Sequence, residues 1–189
     1  MLRAIPGMLV LRPADATETV EAWRVAIEHR SGPVALVLTR QKLPVLDRAA
    51  LAPADGVRRG GYVLRDPPGG PQAILIATGS EVQVALAAAE RLLAEGIRAR
   101  VVSLPSWELF EAQPAAYRES VLPRAIRARV GIEAASPFGW ERYVTDDGAM
   151  IAMESFGASA PAERLFSEFH FTAERAAGAV RQLLGRATV

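Results

Sequence analysis

The segment that most constrains the fold is residues 73–105, AILIATGSEVQVALAAAERLLAEGIRARVVSLP. Residues 73–78 and 99–104 are short apolar runs rich in β-branched side chains, typical of strands covered on both faces. Between them one apolar stripe recurs at helical spacing, formed by Val82, Leu86, Ala89, Leu92 and Leu93. Strand–helix–strand units of this length are almost always right-handed crossovers in a parallel sheet. We therefore predict an α/β domain built around this unit.

The turn of this unit, Thr78-Gly79-Ser80, could in principle belong to a dinucleotide site. That fingerprint needs three glycines and an acid after the second strand, whereas this turn has one glycine and the second strand ends in Ser103-Leu104-Pro105. Glu81 would also repel a pyrophosphate. We interpret the turn as a plain crossover in which Ser80 caps the helix, because Ser80 and Gln83 have capping-box spacing. Gly96 is predicted to end the helix in the left-handed region.

Residues 8–39 predict a second strand–helix–strand unit. Asp15 is expected to cap its helix with Glu18 at the third helical position. Its predicted apolar side is formed by Val20, Trp23, Val25, Ala26 and Ile27. Two parallel strands and one helix cannot cover both faces of a sheet. These strands therefore either join the later sheet or belong to a larger domain, in which case residues 8–39 should expose apolar surface.

Residues 40–70 change character, because they contain four prolines and five glycines. We interpret residues 40–70 as a linker that joins a partial α/β domain to a second domain beginning near Pro71. Further strands are predicted at 128–133 and 149–153, a helix after Pro161, and a last helix capped by Thr172. The predicted fold class is a three-layer α/β/α, Rossmann-like, mostly parallel sheet preceded by the partial domain.

Composition narrows the functional classes. The net charge of +1 gives no reason to expect nucleic acid or an anionic membrane as a partner. No apolar run approaches the roughly 18 residues that a membrane span needs. The sequence has no cysteine, which excludes disulfides and cysteine zinc sites, and two histidines leave little for another metal centre. There is no G-x-S-x-G hydrolase motif. We predict a cytoplasmic protein.

Two charged residues follow predicted strands. Arg40 comes directly after the strand at 34–39, and arginine is well suited to a bidentate grip on phosphate or carboxylate. Its position alone leaves open an anion contact or a surface salt bridge. Glu133 stands at the carboxyl end of the strand at 128–133, where open α/β sheets bind ligands. By itself it is more consistent with a structural carboxylate.

A series of longer strings carries a family resemblance. They occur in order along the chain: GPVALVLTRQ at 32–41, RGGYVLRD at 59–66, IATGSEV at 76–82, ARVVSLPSWELFEAQ at 99–113, YRESVLP at 117–123 and FGASAPAERLF at 156–166. Together they resemble the carboxyl-terminal part of a transketolase over essentially the whole chain. On this resemblance, residues 1–45 correspond to the end of a pyrimidine-binding domain, residues 46–70 to a linker and residues 71–189 to the carboxyl-terminal domain.

The resemblance implies a thiamine-diphosphate enzyme of the pentose phosphate pathway that also uses a divalent cation, Mg or Ca. Such enzymes move a two-carbon ketol unit between sugar phosphates and work as homodimers. Arg40 matches an arginine that grips the phosphate of the substrate in this family. It is the one site residue that the resemblance assigns here.

The departures from the family pattern are equally informative. The chain has no Gly-Asp-Gly motif, and the groups that activate the cofactor have no counterpart in it. We therefore expect no catalytic, cofactor-binding or metal residue in this chain, and no activity from the chain alone. A separate amino-terminal thiamine-binding subunit is left open as a partner. The alternatives are a related thiamine enzyme (a deoxyxylulose-phosphate synthase or a 2-oxo-acid dehydrogenase β subunit) and a non-catalytic assembly or binding module.

Overall fold

The computed structural model describes residues 2–186, which form two sheets with flanking helices. Residue 1 and residues 187–189, which belong to the predicted domains 1–45 and 71–189, lie outside the described residues. No helix in the described part of the chain is long and apolar enough to cross a membrane.

The first unit is the predicted strand–helix–strand, and its two strands pair in parallel. Its elements are strand β1 (Leu9–Leu11), helix α1 (Ala16–Glu28) and strand β2 (Val34–Leu36), after a 3-10 turn at Leu2–Ala4. Strand β2 ends three residues earlier than predicted, so residues 37–39 lie outside the sheet. This change places Arg40 beyond an irregular segment instead of directly after the strand.

The second unit is a five-stranded sheet in the order β3-β5-β4-β6-β7. Its strands are β3 (Tyr62–Arg65), β4 (Ala73–Ala77), β5 (Ala99–Ser103), β6 (Arg129–Ile132) and β7 (Ala149–Ile151). Its helices are α2 (Val82–Ala94), α3 (Trp107–Glu111), α4 (Ala115–Val121), α5 (Glu141–Val144), α6 (Ala162–Glu168) and α7 (Ala173–Arg186). The four strands β4 to β7 are parallel, whereas β3 is an antiparallel edge strand. The predicted fold class, a mostly parallel α/β sheet, is confirmed.

Strand β3 lies within residues 46–70, for which the sequence predicted a linker. The same segment also contains a 3-10 helix, Ala54–Arg59. Tyr62 and Leu64 are buried and alternate with less buried neighbours, but such a short alternation among glycines and prolines is a weak strand signal. Pairing with β5 makes this stretch a strand, which is a tertiary effect.

The two units share one hydrophobic core. Leu9 and Leu11 of β1 pack in the same cluster as Ala77 and Ile132 of the five-stranded sheet. Backbone bonds also join the units, because the Arg12 amide donates to Pro105 O at 2.9 Å and the Gly79 amide donates to Arg12 O at 3.0 Å. The first strands therefore form a separate small sheet, of which β1 is buried against the carboxyl edge of the larger one and β2 is half-buried.

The predicted apolar side of helix α1 is not the side that the structure buries. Val20, Trp23 and Ile27 are 52%, 54% and 63% exposed, and Val25 alone of the five predicted positions is buried. The face of α1 that turns inward carries Glu18, Glu21 and Ala22 as well as Val25. The reason is that Glu18 finds hydrogen-bond donors in the second unit. The expected exposed apolar surface thus lies on the helix, while β1 is covered.

Helix ends follow the sequence in three of four cases. Asp15 accepts a bond from the Glu18 amide, Thr172 accepts one from the Arg175 amide at 3.2 Å, and Gly96 has φ +80°. The prediction that Ser80 caps α2 is wrong. A 3-10 turn, Gly79–Glu81, precedes this helix, and the Ser80 hydroxyl instead donates to Glu81 Oε1 at 2.5 Å.

Candidate functional site

Arg40 lies on the surface, beyond the carboxyl end of β2. Its side chain is exposed, and its guanidinium makes no hydrogen bond or ion pair with any of residues 2–186. An unpaired, exposed guanidinium keeps its whole fork of N–H donors available for an anion. Within residues 2–186, Arg40 therefore forms no salt bridge.

The carboxyl edge of the five-stranded sheet is the place where open α/β folds bind ligands. Three polar residues stand there at the ends of neighbouring strands: Thr78 after β4, Ser103 at the end of β5 and Glu133 after β6. All three are completely buried. The first unit covers this edge, and its own side chains fill the space that a ligand would need.

An arginine–glutamate cluster, formed by Arg3, Arg12, Glu81, Glu133 and Trp140, occupies the crevice between β4 and β6. Arg12 joins the two carboxylates, since its Nη1 lies 2.5 Å from Glu133 Oε1 and its Nη2 lies 3.1 Å from Glu81 Oε2. Arg3 Nη1 and Trp140 Nε1 both donate to Glu133 Oε2, at 2.7 and 2.6 Å. The Arg3 guanidinium also stacks on the Trp107 ring at 3.9 Å.

The pKa shifts reflect how well each group is neutralised. Burial alone would raise the pKa of Glu133, but the hydrogen bond and charge of Arg3, the charge of Arg12 and the Trp140 indole outweigh it, so the pKa is lowered. The pKa of Glu81 is raised, because burial outweighs the attraction of Arg12 and the bond from Ser80. For Arg12, burial is outweighed by the two carboxylates, and its pKa is raised. This cluster is an internally neutralised ion network.

A second polar cluster joins α1 to strands β3 and β5. Glu18 Oε1 accepts bonds from the hydroxyls of Tyr62 and Ser103, both at 2.7 Å, and Glu18 Oε2 accepts one from the Ala14 amide at 2.8 Å. Arg48 binds Asp15 Oδ1 at 3.1 Å and the Tyr62 hydroxyl at 3.0 Å. Burial raises the pKa of Glu18 despite these bonds. The cluster explains why a glutamate faces inward on α1.

Arg12 also lies against the glycine turn that the sequence raised as a candidate nucleotide site. Gly79 has φ +62°, and a Cβ at that position would lie 3.2 Å from Arg12 Nη2. The guanidinium therefore lies against the turn where a dinucleotide site would place its phosphates. Sequence reasoning missed Arg3 and Arg12, because their partners Glu81 and Glu133 are 69 to 130 residues away along the chain. Glu133 itself is structural here, as its position suggested.

The described residues offer few side chains that could bind a metal ion together. Among residues 2–186, no three histidine or acidic side chains converge in a way that could hold a cation. His29 lies at the end of α1, and His170, with φ +61°, lies in the turn between α6 and α7. Both histidines thus lie at the ends of helices.

Family models assign the two units separately. Residues 60–172 match the model of the transketolase-like TK C-terminal domain, and residues 1–45 match the model of the transketolase pyrimidine-binding domain. This chain belongs to the transketolase family. The resemblance carried by the strings at residues 32–166 is thereby confirmed.

Curated transketolases extend over the whole chain. The transketolase of Geobacillus stearothermophilus is 49% identical over 186 residues, covering 98% of this chain and 28% of the relative. The chain thus spans little more than a quarter of the length of the curated relatives that it matches.

Solved transketolases share the fold. The transketolase from Leishmania mexicana has a TM-score of 0.89 at 43% identity, over 98% of this chain and 26% of that one. A Pichia stipitis transketolase complex with sedoheptulose 7-phosphate has a TM-score of 0.85 at 40% identity, over 97% and 26%. A split-gene transketolase, described as an inactive β4 tetramer, has a TM-score of 0.77 at 26% identity, over 97% of this chain and 60% of that one.

Proposed function

We propose that this chain is the carboxyl-terminal part of a transketolase, an enzyme that transfers a two-carbon ketol unit between sugar phosphates in the pentose phosphate pathway. The observation that carries the proposal is the match of both units, in order, to the two transketolase domain models. Because the chain spans 28% of the length of its curated relative, we propose that it works together with the amino-terminal part of such an enzyme.

Within this function we propose that Arg40 binds the phosphate of the substrate. Its guanidinium is exposed and has no partner among residues 2–186, so two parallel N–H donors are available for two phosphate oxygens. Such a bond fixes one end of an extended sugar phosphate and so helps to orient the reacting end. The sedoheptulose 7-phosphate in the P. stipitis complex is a substrate of the proposed kind.

We propose thiamine diphosphate and a divalent cation, Mg or Ca, as cofactors of the complete enzyme, where the thiamine group would supply the reactive carbanion. The described residues of this chain do not fit a cation site, since no three acidic or histidine side chains meet there. The proposed contribution of this chain is therefore substrate orientation through Arg40 and support of the fold. We expect the chain alone to show no ketol transfer.

For the domain organisation we propose a pyrimidine-domain remnant at residues 1–45, a connecting segment at 46–70 and the carboxyl-terminal domain at 71–189. The connecting segment supplies the edge strand β3 to the sheet of that domain. A cytoplasmic location stays a prediction from the sequence.

We also propose that the exposed stripe of α1 contacts the amino-terminal part of the enzyme, on the same polypeptide or on a separate subunit. Val20, Trp23 and Ile27 recur at helical spacing and are all more than half exposed, and such stripes usually mark contact surfaces. The split-gene relative supports separate subunits. In the complete enzyme we propose a homodimer.

A chimera tests the function. In it, this chain replaces the part of the G. stearothermophilus transketolase that it matches, and ketol transfer from sedoheptulose 7-phosphate is measured with thiamine diphosphate and Mg²⁺. We expect the chimera to be active and this chain alone to be inactive. An inactive but folded chimera would contradict the proposed function, and activity of the purified chain alone would contradict the expected division of labour.

Arg40→Gln in the active chimera tests the phosphate contact. Losing a charge-assisted bidentate bond should raise the KM for sedoheptulose 7-phosphate by roughly 10- to 100-fold and change kcat much less. The matched control is Arg30→Gln, which removes another exposed arginine that has no ion pair with residues 2–186. An unchanged KM in Arg40→Gln would overturn the assignment.

A further inference from the structure

A cavity of about 430 Å³ opens beside α3, α4, α5 and the amino end of β6, and Arg40 is not among the residues that line it. Five of its lining residues are arginines, at positions 118, 124, 127, 129 and 142, against two glutamates, Glu111 and Glu119. Phe110, Leu122 and Ile126 add apolar wall. The volume is within the range of small-molecule sites, roughly 300–1,000 Å³.

The arginines of this cavity, which we call the arginine cavity, are incompletely neutralised. Arg118 Nη1 is 2.6 Å from Glu111 Oε2, Arg124 Nε is 3.7 Å from Glu119 Oε2, and Arg127 pairs with Asp147. Neither Arg129 nor Arg142 has an ion-pair partner in the described part of the chain. The lining therefore carries a surplus of positive charge, which attracts anions.

Arg129 is the buried member of the set, with 5% of its surface exposed. Its guanidinium donates only to main-chain oxygens, those of Leu122, Pro123, Ile126 and Tyr143, at 2.7 to 3.1 Å. Burial lowers the pKa of Arg129, and the nearby charge of Glu119 offsets this effect in part. The four carbonyls hold the side chain in place but leave its full positive charge next to the cavity.

Three polar atoms at the arginine cavity have no hydrogen-bond partner among the described residues: Arg118 Nε, the Tyr143 hydroxyl and the Thr145 hydroxyl. Each can donate a hydrogen bond. Burial and the neighbouring Glu111 carboxylate raise the pKa of Tyr143, and the nearby Arg142 guanidinium lowers it in part, so the hydroxyl keeps its proton and lies close to both side chains. Tyr143 is 2% exposed, and leaving such a buried donor unpaired costs free energy. Unsatisfied donors on three residues that line one cavity indicate a ligand that accepts from them.

Thr145 adds a backbone observation at the same place. It has φ +63° and ψ 176°, a conformation that is essentially restricted to glycine and is costly for a β-branched residue. This conformation brings the Thr145 side chain to the wall of the cavity beside Tyr143. Strain of this kind concentrates at ligand-binding positions.

We propose that the arginine cavity binds an organic phosphate, a phosphomonoester whose oxygens accept hydrogen bonds from Arg118, Tyr143 and Thr145. A phosphate fits better than a carboxylate, because it offers three terminal oxygens to three donors. Arg129 and Arg142 supply the positive charge that balances the anion. The organic group lies against Phe110, Leu122 and Ile126. A sugar phosphate and a nucleoside monophosphate share this chemistry.

Titration calorimetry of the full chain tests the site, at low salt because salt screens such contacts. The probes are inorganic phosphate, ribose 5-phosphate and adenosine 5′-monophosphate. We expect one organic phosphate to bind at least several-fold more tightly than inorganic phosphate. Equal binding of inorganic phosphate would contradict the role of the apolar wall, and absence of binding by all three probes would overturn the proposal.

Two variants test whether the phosphate binds at the arginine cavity. Tyr143→Phe removes only the buried hydroxyl and Arg142→Gln only an exposed charge, so both should fold, which circular dichroism checks. Each should weaken binding about tenfold, while Arg164→Gln, a change to an exposed arginine of α6, should leave it unchanged. Binding that is unaffected in both variants would overturn the site.

The same titration on Arg40→Gln distinguishes binding at the arginine cavity from binding at the proposed substrate contact, Arg40. Binding at the arginine cavity should persist in that variant, because Arg40 does not line it. Loss of binding in Arg40→Gln would assign the phosphate to Arg40 and contradict the cavity site. The proposed transketolase function is judged separately, by the activity of the chimera.

Discussion

Two buried arginines stand at opposite ends of the parallel sheet and have opposite surroundings. At the carboxyl end, Arg12 lies between the carboxylates of Glu81 and Glu133. At the amino end, Arg129 meets four main-chain carbonyls and no carboxylate of the described residues. The pKa of Arg12 is raised and that of Arg129 is lowered, although burial acts in the same direction on both.

The difference shows how one sheet can be closed at one end and open at the other. A buried charge is stable only if it is paired or well hydrogen-bonded. Where two acids neutralise Arg12, the crevice that other α/β proteins use for ligands becomes a contact between two units of the chain. Where Arg129 has only carbonyl partners, its charge remains available beside a cavity.

Arg12→Met should have the largest effect on stability. It leaves the two buried carboxylates Glu81 and Glu133 without their shared partner, which should lower the free energy of unfolding by about 4 kcal/mol. Urea denaturation followed by circular dichroism measures the change. The control is Arg91→Met, which removes an exposed ion pair with Glu174 and should cost no more than about 0.5 kcal/mol. A similar small cost for Arg12→Met would show that the carboxyl end is not held by this cluster.

Glu133→Gln should cost about 3 kcal/mol at neutral pH, because it leaves Arg3 and Arg12 short of a buried anionic partner. The cost should depend on pH. The folded-state pKa of Glu133 lies below its ordinary value of 4.5, so its carboxylate stabilises the fold above that value, and this stabilisation is lost as the pH falls through the folded-state pKa.

The two proteins, wild type and Glu133→Gln, should therefore converge in stability as the pH falls below 4.5, the ordinary pKa of glutamate. Glu18 titrates in both proteins and largely cancels in the difference, whereas the loss of the Glu133 charge removes one cause that raises the pKa of Glu81. Denaturation curves between neutral and acidic pH, with Glu163→Gln as an exposed control, check this. A difference that stays constant over the whole range would contradict the charge-based role of Glu133.

Arg129→Met should cost about 2 kcal/mol, roughly half as much as Arg12→Met. The change removes the donors to four carbonyls but strands no buried carboxylate, and water in the adjacent cavity can replace part of the lost bonding. Urea denaturation of this variant beside Arg142→Met, which changes an exposed arginine of the same cavity, measures the effect. If Arg129→Met proved as costly as Arg12→Met, the two ends of the sheet would not differ in the way described.

Thr145→Gly should have the smallest effect, and in the stabilising direction. Glycine adopts φ +63° without the steric cost that threonine pays, so stability should rise by about 1 kcal/mol. That corresponds to a rise in Tm of about 2–4 °C for a chain of this size. The control is Thr39→Gly, at a loop position without positive φ, which should destabilise by roughly 0.5–1 kcal/mol. A lower Tm for Thr145→Gly would show that the turn is not strained.

Patterns that are local in the sequence predicted most of the fold. The strands β4, β5 and β6 are short β-branched runs, and helices α2 and α7 have apolar side chains at regular spacing. Asp15, Gly96 and Thr172 act at helix ends because capping depends on a few neighbouring residues. The family resemblance likewise rests on contiguous strings, and Arg40 was singled out by its own string and its place after β2.

Features that depend on distant partners escaped prediction. Strand β3 exists because β5 lies beside it. Ser80 does not cap α2, because its hydroxyl donates a hydrogen bond to the buried Glu81 carboxylate instead. Glu18 of helix α1 faces inward because the hydroxyls of Tyr62 and Ser103 donate hydrogen bonds to its carboxylate. The arginine cavity combines residues from three helices and the loop before β6, so no single segment of the sequence predicts it.

The amino-acid sequence by itself determined most of the elements, the α/β class, the family and the candidate residue Arg40, because backbone propensities, capping and apolar periodicity act over a few residues. The tertiary structure alone decided that the crevice at the turn of residues 78–81 is filled by Arg12 and that the charge of Arg129 is left beside an open cavity. Whether a buried charge is neutralised depends on which carboxylates the packed chain brings within about 3 Å, and that distance is set only when the two units come together.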